Sequence, residues 1–365
     1  MIGSWIALMI PFTFSVLVTS MIIPAWLKLC GKWQLFDRPD ARKHHVAVIP
    51  SLGGIAIFAG IMISFFFSAA NGNYNGSSVL AYMLAGSLVL FFTGFFDDLM
   101  EISAKRKLVM QSIAAWMVVH GGLRIVTLNG FLGIYNLSVP WQYGITIFVI
   151  LFLINAYNFI DGIDGLAATL GIIIFSLFAF LFYLKNDMIY VTLSLCVLGS
   201  LSAFIVFNFE PAKIFMGDTG SLVVGFLISC CAIKLLSVAA VNDLQLYSPL
   251  LIVAALFILI FDLSRVVFIR LANGISPFTA DRSHLHHMVC RQEFGHRGAT
   301  LILATFNILF ISLVFIVHKM SITGFLVMCF CIAIVLINSR VIGVFAALRN
   351  KLKGSPAKKF EVNSY

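Results

Sequence analysis

Residues 141–166 read WQYGITIFVILFLINAYNFIDGIDGL. From Trp141 to Tyr157 the stretch carries no charge, and Ile, Leu, Phe and Val dominate it. A helix that crosses a bilayer needs about 20 such residues. The run then turns polar: Asn155, Asn158, Asp161 and Asp164 recur at every third position. Each step of three rotates a helical position by about −60°. Asn158 and Asp161 are therefore expected to be neighbours, as are Asp161 and Asp164. Gly162 and Gly165 allow the helix to end or bend there. The stretch predicts a membrane span with oxygen-bearing side chains at its end.

The rest of the chain repeats this pattern. Its 365 residues are 61% hydrophobic and only 11% charged, with a mean hydropathy of +1.03. Soluble domains carry about 45–50% apolar and about 25% charged residues, so a soluble globular fold is excluded. Disorder is excluded as well, because 36 Phe cannot stay solvated. Apolar runs fall at 4–27, 52–70, 79–96, 108–120, 141–157, 166–184, 188–207, 219–239, 247–269, 299–317 and 322–345. They predict an all-α polytopic helical bundle of about 11 transmembrane helices, forming one membrane-embedded domain over 1–365. The segment 346–365 is expected to be a disordered basic tail. The first run is too long for a signal peptide and lacks basic residues before it, so it is read as a retained span. Seven cysteines without a CxxC pair point to free thiols rather than disulfides or zinc.

Charge sets the sidedness. One alternate set of loops, with the C-terminal tail, holds nineteen Lys and Arg; the opposite set holds Arg124, Lys185 and Lys319. Basic loops stay cytosolic, which places the C-terminus inside and the N-terminus on the periplasmic side. The net charge of +9 is thus a topology signal with anionic lipid contact, and no nucleic-acid partner is expected. Of fifteen acids only Asp187 and Asp243 fall on the outer side. Acids beside apolar spans are costly and usually functional.

Four further motifs lie on the basic face. GFFDDLMEISAKRKL, residues 94–108, ends a span with Asp97 and Asp98 and follows them with Lys105, Arg106 and Lys107. Adjacent carboxylates resist joint ionisation unless a cation holds them, and lysine can hold phosphate; an interfacial cap with snorkelling lysines is the plainer alternative. FMGDTGSL, residues 215–222, sets Asp218 between Gly217 and the next span, either as a helix cap or as a ligand. Phe215 is a belt residue or a stacking platform for a base. SPFTADRSHLHHM, residues 276–288, gathers Arg282, His284, His286 and His287, donors suited to phosphate oxygens. Zinc is the rival there, but no second cluster matches it, and the acids and amides elsewhere suit a hard cation such as Mg²⁺. The first basic loop, 31–54, carries Asp37, Arg38, Arg42, Lys43, His44 and His45, which topology alone could explain. Lys234 is expected to snorkel or pair within the bundle, and Asp262 to pair with Arg265 one turn on. No Walker A or G-x-G-x-x-G element is present.

FFDDL with Lys107, NAYNFIDGIDGL, FMGDTGSL and DRSHLHH occur in the order seen in the polyprenyl-phosphate N-acetylhexosamine-1-phosphate transferases, the superfamily with MraY, TagO and WecA branches. The chain resembles that superfamily over nearly its whole length, and DRSHLHHM looks like the WecA and TagO branch. The resemblance implies a reaction in which UDP-N-acetylglucosamine and undecaprenyl phosphate give undecaprenyl-diphospho-N-acetylglucosamine and UMP. It implies an inner-membrane enzyme with a cytosolic active site that starts O-antigen, lipopolysaccharide or related polysaccharide synthesis. Asn158 and Asp218 would hold Mg²⁺ or Mn²⁺. Asp97 and Asp98 would hold or deprotonate the lipid phosphate, and Asp161 and Asp164 would shape the site. Lys43, Lys107, Asn155, Phe215, Arg282, His284, His286 and His287 would bind substrate, with Phe215 on uracil. The sequence does not choose between a monomer and a homodimer. Rival readings are the same chemistry on UDP-MurNAc-pentapeptide or UDP-GalNAc, and a secondary transporter, which would place its charges near the midplane with repeat symmetry.

Overall fold

The computed structural model describes residues 2–33, 49–71, 78–237, 248–274, 276, 284–290, 295–317 and 319–337; the side chains of 2–7, 33, 248, 286, 287 and 335–337 lie outside the description. The basic tail lies outside it too. Each of the eleven apolar runs is helical over most of its described residues. In chain order the helices are α1 (Ile2–Trp33), α2 (Gly53–Asn71), α3 (Ser78–Met100), α4 (Ala104–His120), α5 (Val139–Ile160), α6 (Leu166–Leu184), α7 (Met188–Asn208), α8 (Gly217–Ser237), α9 (Ser248–Ala255), α10 (Phe257–Ala272), α11 (Leu285–Val289), α12 (Gly295–Val317) and α13 (Ile322–Ile337). Eight are long and apolar enough to cross a membrane. The run at 247–269 is not one rod: α9 and α10 meet at 61° and count as a ninth span only if taken together. The Asn307 side chain donates to the Ala255 carbonyl across this break at 3.0 Å, satisfying a backbone group that a bend exposes. The described part of the last run, and the short helix α4, fall below span length.

Among the described residues one element, a hairpin, is not helical. Thr127–Phe131 (β1) and Ile134–Asn136 (β2) form an antiparallel hairpin between α4 and α5. Gly130 and Gly133, both at positive φ, turn a stretch too short for a span. The Leu132 amide donates to Thr323 Oγ1 at 2.8 Å, tying the hairpin to α13.

Helix α8 is the axis of the bundle. Buried residues make up 89% of its span window, against 22% for α1 at the margin. Helices α2, α3, α5 and α6 pack around it. Small residues bring the backbones close, as membrane packing requires. A Cβ on Gly54 of α2 would lie 2.1 Å from the Gly220 nitrogen, and one on Gly94 of α3 would lie 2.4 Å from the Asp218 carbonyl oxygen. Between α1 and α7 buried hydroxyls add polar contacts: Ser15 Oγ donates to the Cys196 carbonyl at 2.6 Å, and Thr19 and Ser200 share a hydrogen bond of 2.9 Å. All seven cysteines are free, and five are buried. Lys234 pairs with Asp187 at 3.8 Å and lies over the Tyr190 ring.

Candidate functional site

The acid-rich ends of α3 and α5 meet the starts of α4 and α8 at one end of the bundle. Lys107 is the junction. Its ammonium donates to Asp97 Oδ2 at 2.9 Å and to Asp218 Oδ2. Burial pulls the Lys107 pKa down, but the Asp218 and Asp97 carboxylates outweigh it and hold it above its ordinary value. Asp97 Oδ1 accepts from the Ile102 amide at 2.9 Å, fixing the turn between α3 and α4. The other Asp218 oxygen accepts from Asn158 Nδ2 at 2.8 Å, and that nitrogen also donates to Ser221 Oγ at 2.8 Å.

Asp98 has a different place from its neighbour. Its Oδ1 accepts from the Asp218 amide at 2.8 Å; its Oδ2 accepts from the Thr219 amide at 3.0 Å and from Thr219 Oγ1 at 2.6 Å. The first amides of a helix lack partners within it. Asp98 supplies them from another helix, as an N-cap residue would. Gly217 just before them sits at φ +67, where a Cβ would strike the Ser51 carbonyl and Asp98. The Phe215 amide donates to the Pro50 carbonyl, and the Phe215 carbonyl accepts from the Gly53 amide, both at 2.9 Å. The half-buried Phe215 is thus held on the rim, two residues before α8.

The helical spacing of 155–164 does not persist, because α5 ends at Ile160 and α6 begins only at Leu166. Asn155 is drawn to α4, donating to Gln111 Oε1 at 2.8 Å. Asp161 stays with the cluster. Loss of solvation, then the Asp218 and Asp98 carboxylates, push its pKa well above the usual carboxylate range, against the Gly217 amide bonded to it. Asp164 instead faces the 209–216 loop and α12: Oδ2 accepts from the Ala212 amide at 3.1 Å, and Oδ1 lies 3.1 Å from His296 Nδ1. Asn208 joins this turn to the loop, accepting from the Gly165 amide at 3.0 Å and donating to the Ile214 carbonyl at 2.9 Å.

His284 is buried. Its Nδ1 lies 2.9 Å from Asp262 Oδ2, and its ring packs on Phe159 with centroids 5.1 Å apart. Lys43 and Arg282 lie outside the described residues, as do the side chains of His286 and His287. Sequence reasoning passed over Gln111, Thr219, Ser221, Asn208 and His296. Ser221 and Gln111 were within reach, one helical turn from Asp218 and Lys107. Asn208 and His296 carried no signal, because only the fold brings them to the turn.

Among the described residues no three His, Cys, Asp or Glu side chains surround one point as a complete metal cage. The donor set present is one carboxylate and one amide, Asp218 and Asn158, with the Lys107 ammonium already placing positive charge between Asp218 and Asp97. That set fits Mg²⁺, which is bound through one or two carboxylates with water and substrate phosphates supplying the rest. The start of α8, with its positive dipole end, suits an anion beside it.

Residues 80–236 match the family model described as glycosyl transferase family 4. That region contains Asp97, Asp98, Lys107, Asn158, Asp161 and Asp218. The chain is 33% identical over 364 residues to a protein of Bacillus subtilis (strain 168) named probable undecaprenyl-phosphate N-acetylglucosaminyl 1-phosphate transferase, covering 97% of this chain and 96% of that one. Two proteins named undecaprenyl-phosphate alpha-N-acetylglucosaminyl 1-phosphate transferase are also similar. That of Yersinia pestis is 31% identical over 76% of this chain and 75% of its own length; that of Escherichia coli (strain K12) is 30% identical over 79% and 77%. With the motifs gathered at one end of a helical membrane bundle, these likenesses settle the family: the chain belongs to the polyprenyl-phosphate N-acetylhexosamine-1-phosphate transferases and is a glycosyl-1-phosphate transferase.

Proposed function

We propose that the protein transfers N-acetylglucosamine 1-phosphate from UDP-N-acetylglucosamine to undecaprenyl phosphate, on the cytosolic face of a bacterial inner membrane. A lipid phosphate oxygen attacks the sugar-linked β-phosphorus; the bond from that phosphorus to the bridging oxygen breaks and UMP leaves. The product, undecaprenyl-diphospho-N-acetylglucosamine, starts a cell-surface polysaccharide such as O-antigen. The single observation that carries this reading is Lys107 bridging Asp97 and Asp218, which supplies one phosphate-binding cation where two acidic helix ends meet.

Phosphoryl transfer needs positioning and charge neutralisation more than covalent chemistry. Asp218 and Asn158 would hold Mg²⁺ or Mn²⁺, which would supply charge neutralisation to the diphosphate. Lys107 donates to phosphate oxygens. Asp97 holds Lys107 and faces the lipid phosphate, whose second pKa near ~6 leaves little need for a strong base. Asp98 acts by fixing the start of α8, which sets where Asp218 stands. Phe215 stacks on uracil, and Asp161 backs the cluster beside Gly217. The positive-inside count supports the cytosolic placement.

The test is a donor panel. Purified protein with Mg²⁺ and undecaprenyl phosphate receives labelled UDP-N-acetylglucosamine, UDP-N-acetylgalactosamine or UDP-MurNAc-pentapeptide. The expected result is lipid-linked label from the first, with UMP released in equal amount. Release of UDP in place of UMP would overturn the reaction, and preference for another sugar would overturn the donor.

A further inference from the structure

We propose that Asp262 is a positioning residue of the transferase, holding the histidine segment at 284–289 against the site; the proposal rests on the donor reading above. Asp262 lies in α10 within FILIFDLSRVV, residues 257–267, and is 2% exposed. A carboxylate buried among apolar side chains needs partners for its oxygens. Both oxygens go to the same short segment. Oδ2 lies 2.9 Å from His284 Nδ1, and Oδ1 accepts from the Leu285 amide at 2.6 Å.

An ionised carboxylate only accepts, so with Asp262 ionised this contact requires the proton on Nδ1 of His284 and holds the ring's orientation. The ring is itself 5% exposed. It fills the space between Asp262 and Phe159, and Phe159 follows Asn158, the side chain bonded to Asp218. Leu285 opens α11, the helix that carries His286 and His287 along its backbone. One carboxylate from a broken span therefore sets the start of α11 and links it to the end of α5. His284 is in this arrangement a strut between Asp262 and Phe159.

The test uses full-length enzyme with Mg²⁺, undecaprenyl phosphate and UDP-N-acetylglucosamine. Asp262→Asn keeps the shape and can still accept from Leu285, but sets an amide N–H₂ against Nδ1–H. It is expected to lower donor kcat/KM by about tenfold, through KM for the donor, with acceptor KM unchanged. In a cycle with His284→Gln, the double variant is expected to match His284→Gln alone within about twofold. Nitrogen NMR of ¹⁵N-histidine protein, with His284→Gln for assignment, is expected to show the Nδ1–H form in the parent and its loss in Asp262→Asn. Parent-like donor KM in Asp262→Asn, or additive losses in the cycle, or an unchanged ring signal, would overturn the proposal. If the parent enzyme prefers another UDP-sugar, the donor reading fails separately, and the same cycle run with that sugar, with the ring signal, still decides Asp262.

Discussion

Gly94→Ala adds one methyl group a single helical turn before Asp97. The new Cβ would stand 2.4 Å from the Asp218 carbonyl oxygen and 2.5 Å from the Thr219 nitrogen, where ordinary contact begins at 3.4 Å. Both obstacles are backbone, so no rotamer change relieves them, and α3 must part from α8 by about 1 Å. Overpacking of this kind costs about 1–3 kcal/mol of stability. The separation also pulls Asp97 and Asp98 on α3 away from Asp218 on α8. A displacement of about 1 Å at reacting groups costs about 10²-fold in rate. Gly144→Ala is the control, since a Cβ there meets nothing within 4 Å; it should leave activity intact and add about 0.5–1 kcal/mol to helix stability. The assay is UMP release by purified protein, with thermal unfolding in the same detergent. A Gly94→Ala enzyme with the parent's kcat would refute the claim that the α3–α8 contact sets the site geometry.

Two other outcomes follow from the same geometry. Lys107→Met keeps the stem but removes the ammonium between Asp97 and Asp218; removal of one such electrostatic donor should lower kcat by about 10²- to 10³-fold, measured as UMP release at saturating substrates. Asn208→Ala strips partners from the Gly165 amide and the Ile214 carbonyl, each a loss of about 1–3 kcal/mol when buried; thermal unfolding should fall clearly while Asn208→Asp, which keeps the acceptor, falls less.

The spans were legible because each is a long apolar run bounded by charge, Gly or Pro. The bend between α9 and α10 was not, because its support, Asn307, comes from another helix some fifty residues on. The hairpin at 127–136 was hidden by its brevity. In the site, residue types located Asp97, Lys107, Asn158 and Asp218, since carboxylate, amide and ammonium beside apolar spans are costly without a role. The pairing of these groups was not readable. Adjacent Asp97 and Asp98 look equivalent in sequence, yet one faces Lys107 and the other caps α8. Asp161 and Asp164 still feel each other's charge, but the helix stops at Ile160 and Asp164 takes partners from the 209–216 loop and α12 that helical rotation does not give. Nothing near Asp262 in sequence signalled that its oxygens also reach a segment more than twenty residues downstream.

The proposed cation site is formed by Asp218 and Asn158 at the start of α8. Its most direct test is Mn²⁺ binding followed by electron paramagnetic resonance, with UMP present, on the parent protein, Asp218→Asn and Asn158→Ala. Tight, Mg²⁺-competed binding is expected in the parent and strongly weakened binding in both variants, with each variant still folded. Parent-like Mn²⁺ affinity in Asp218→Asn would contradict it.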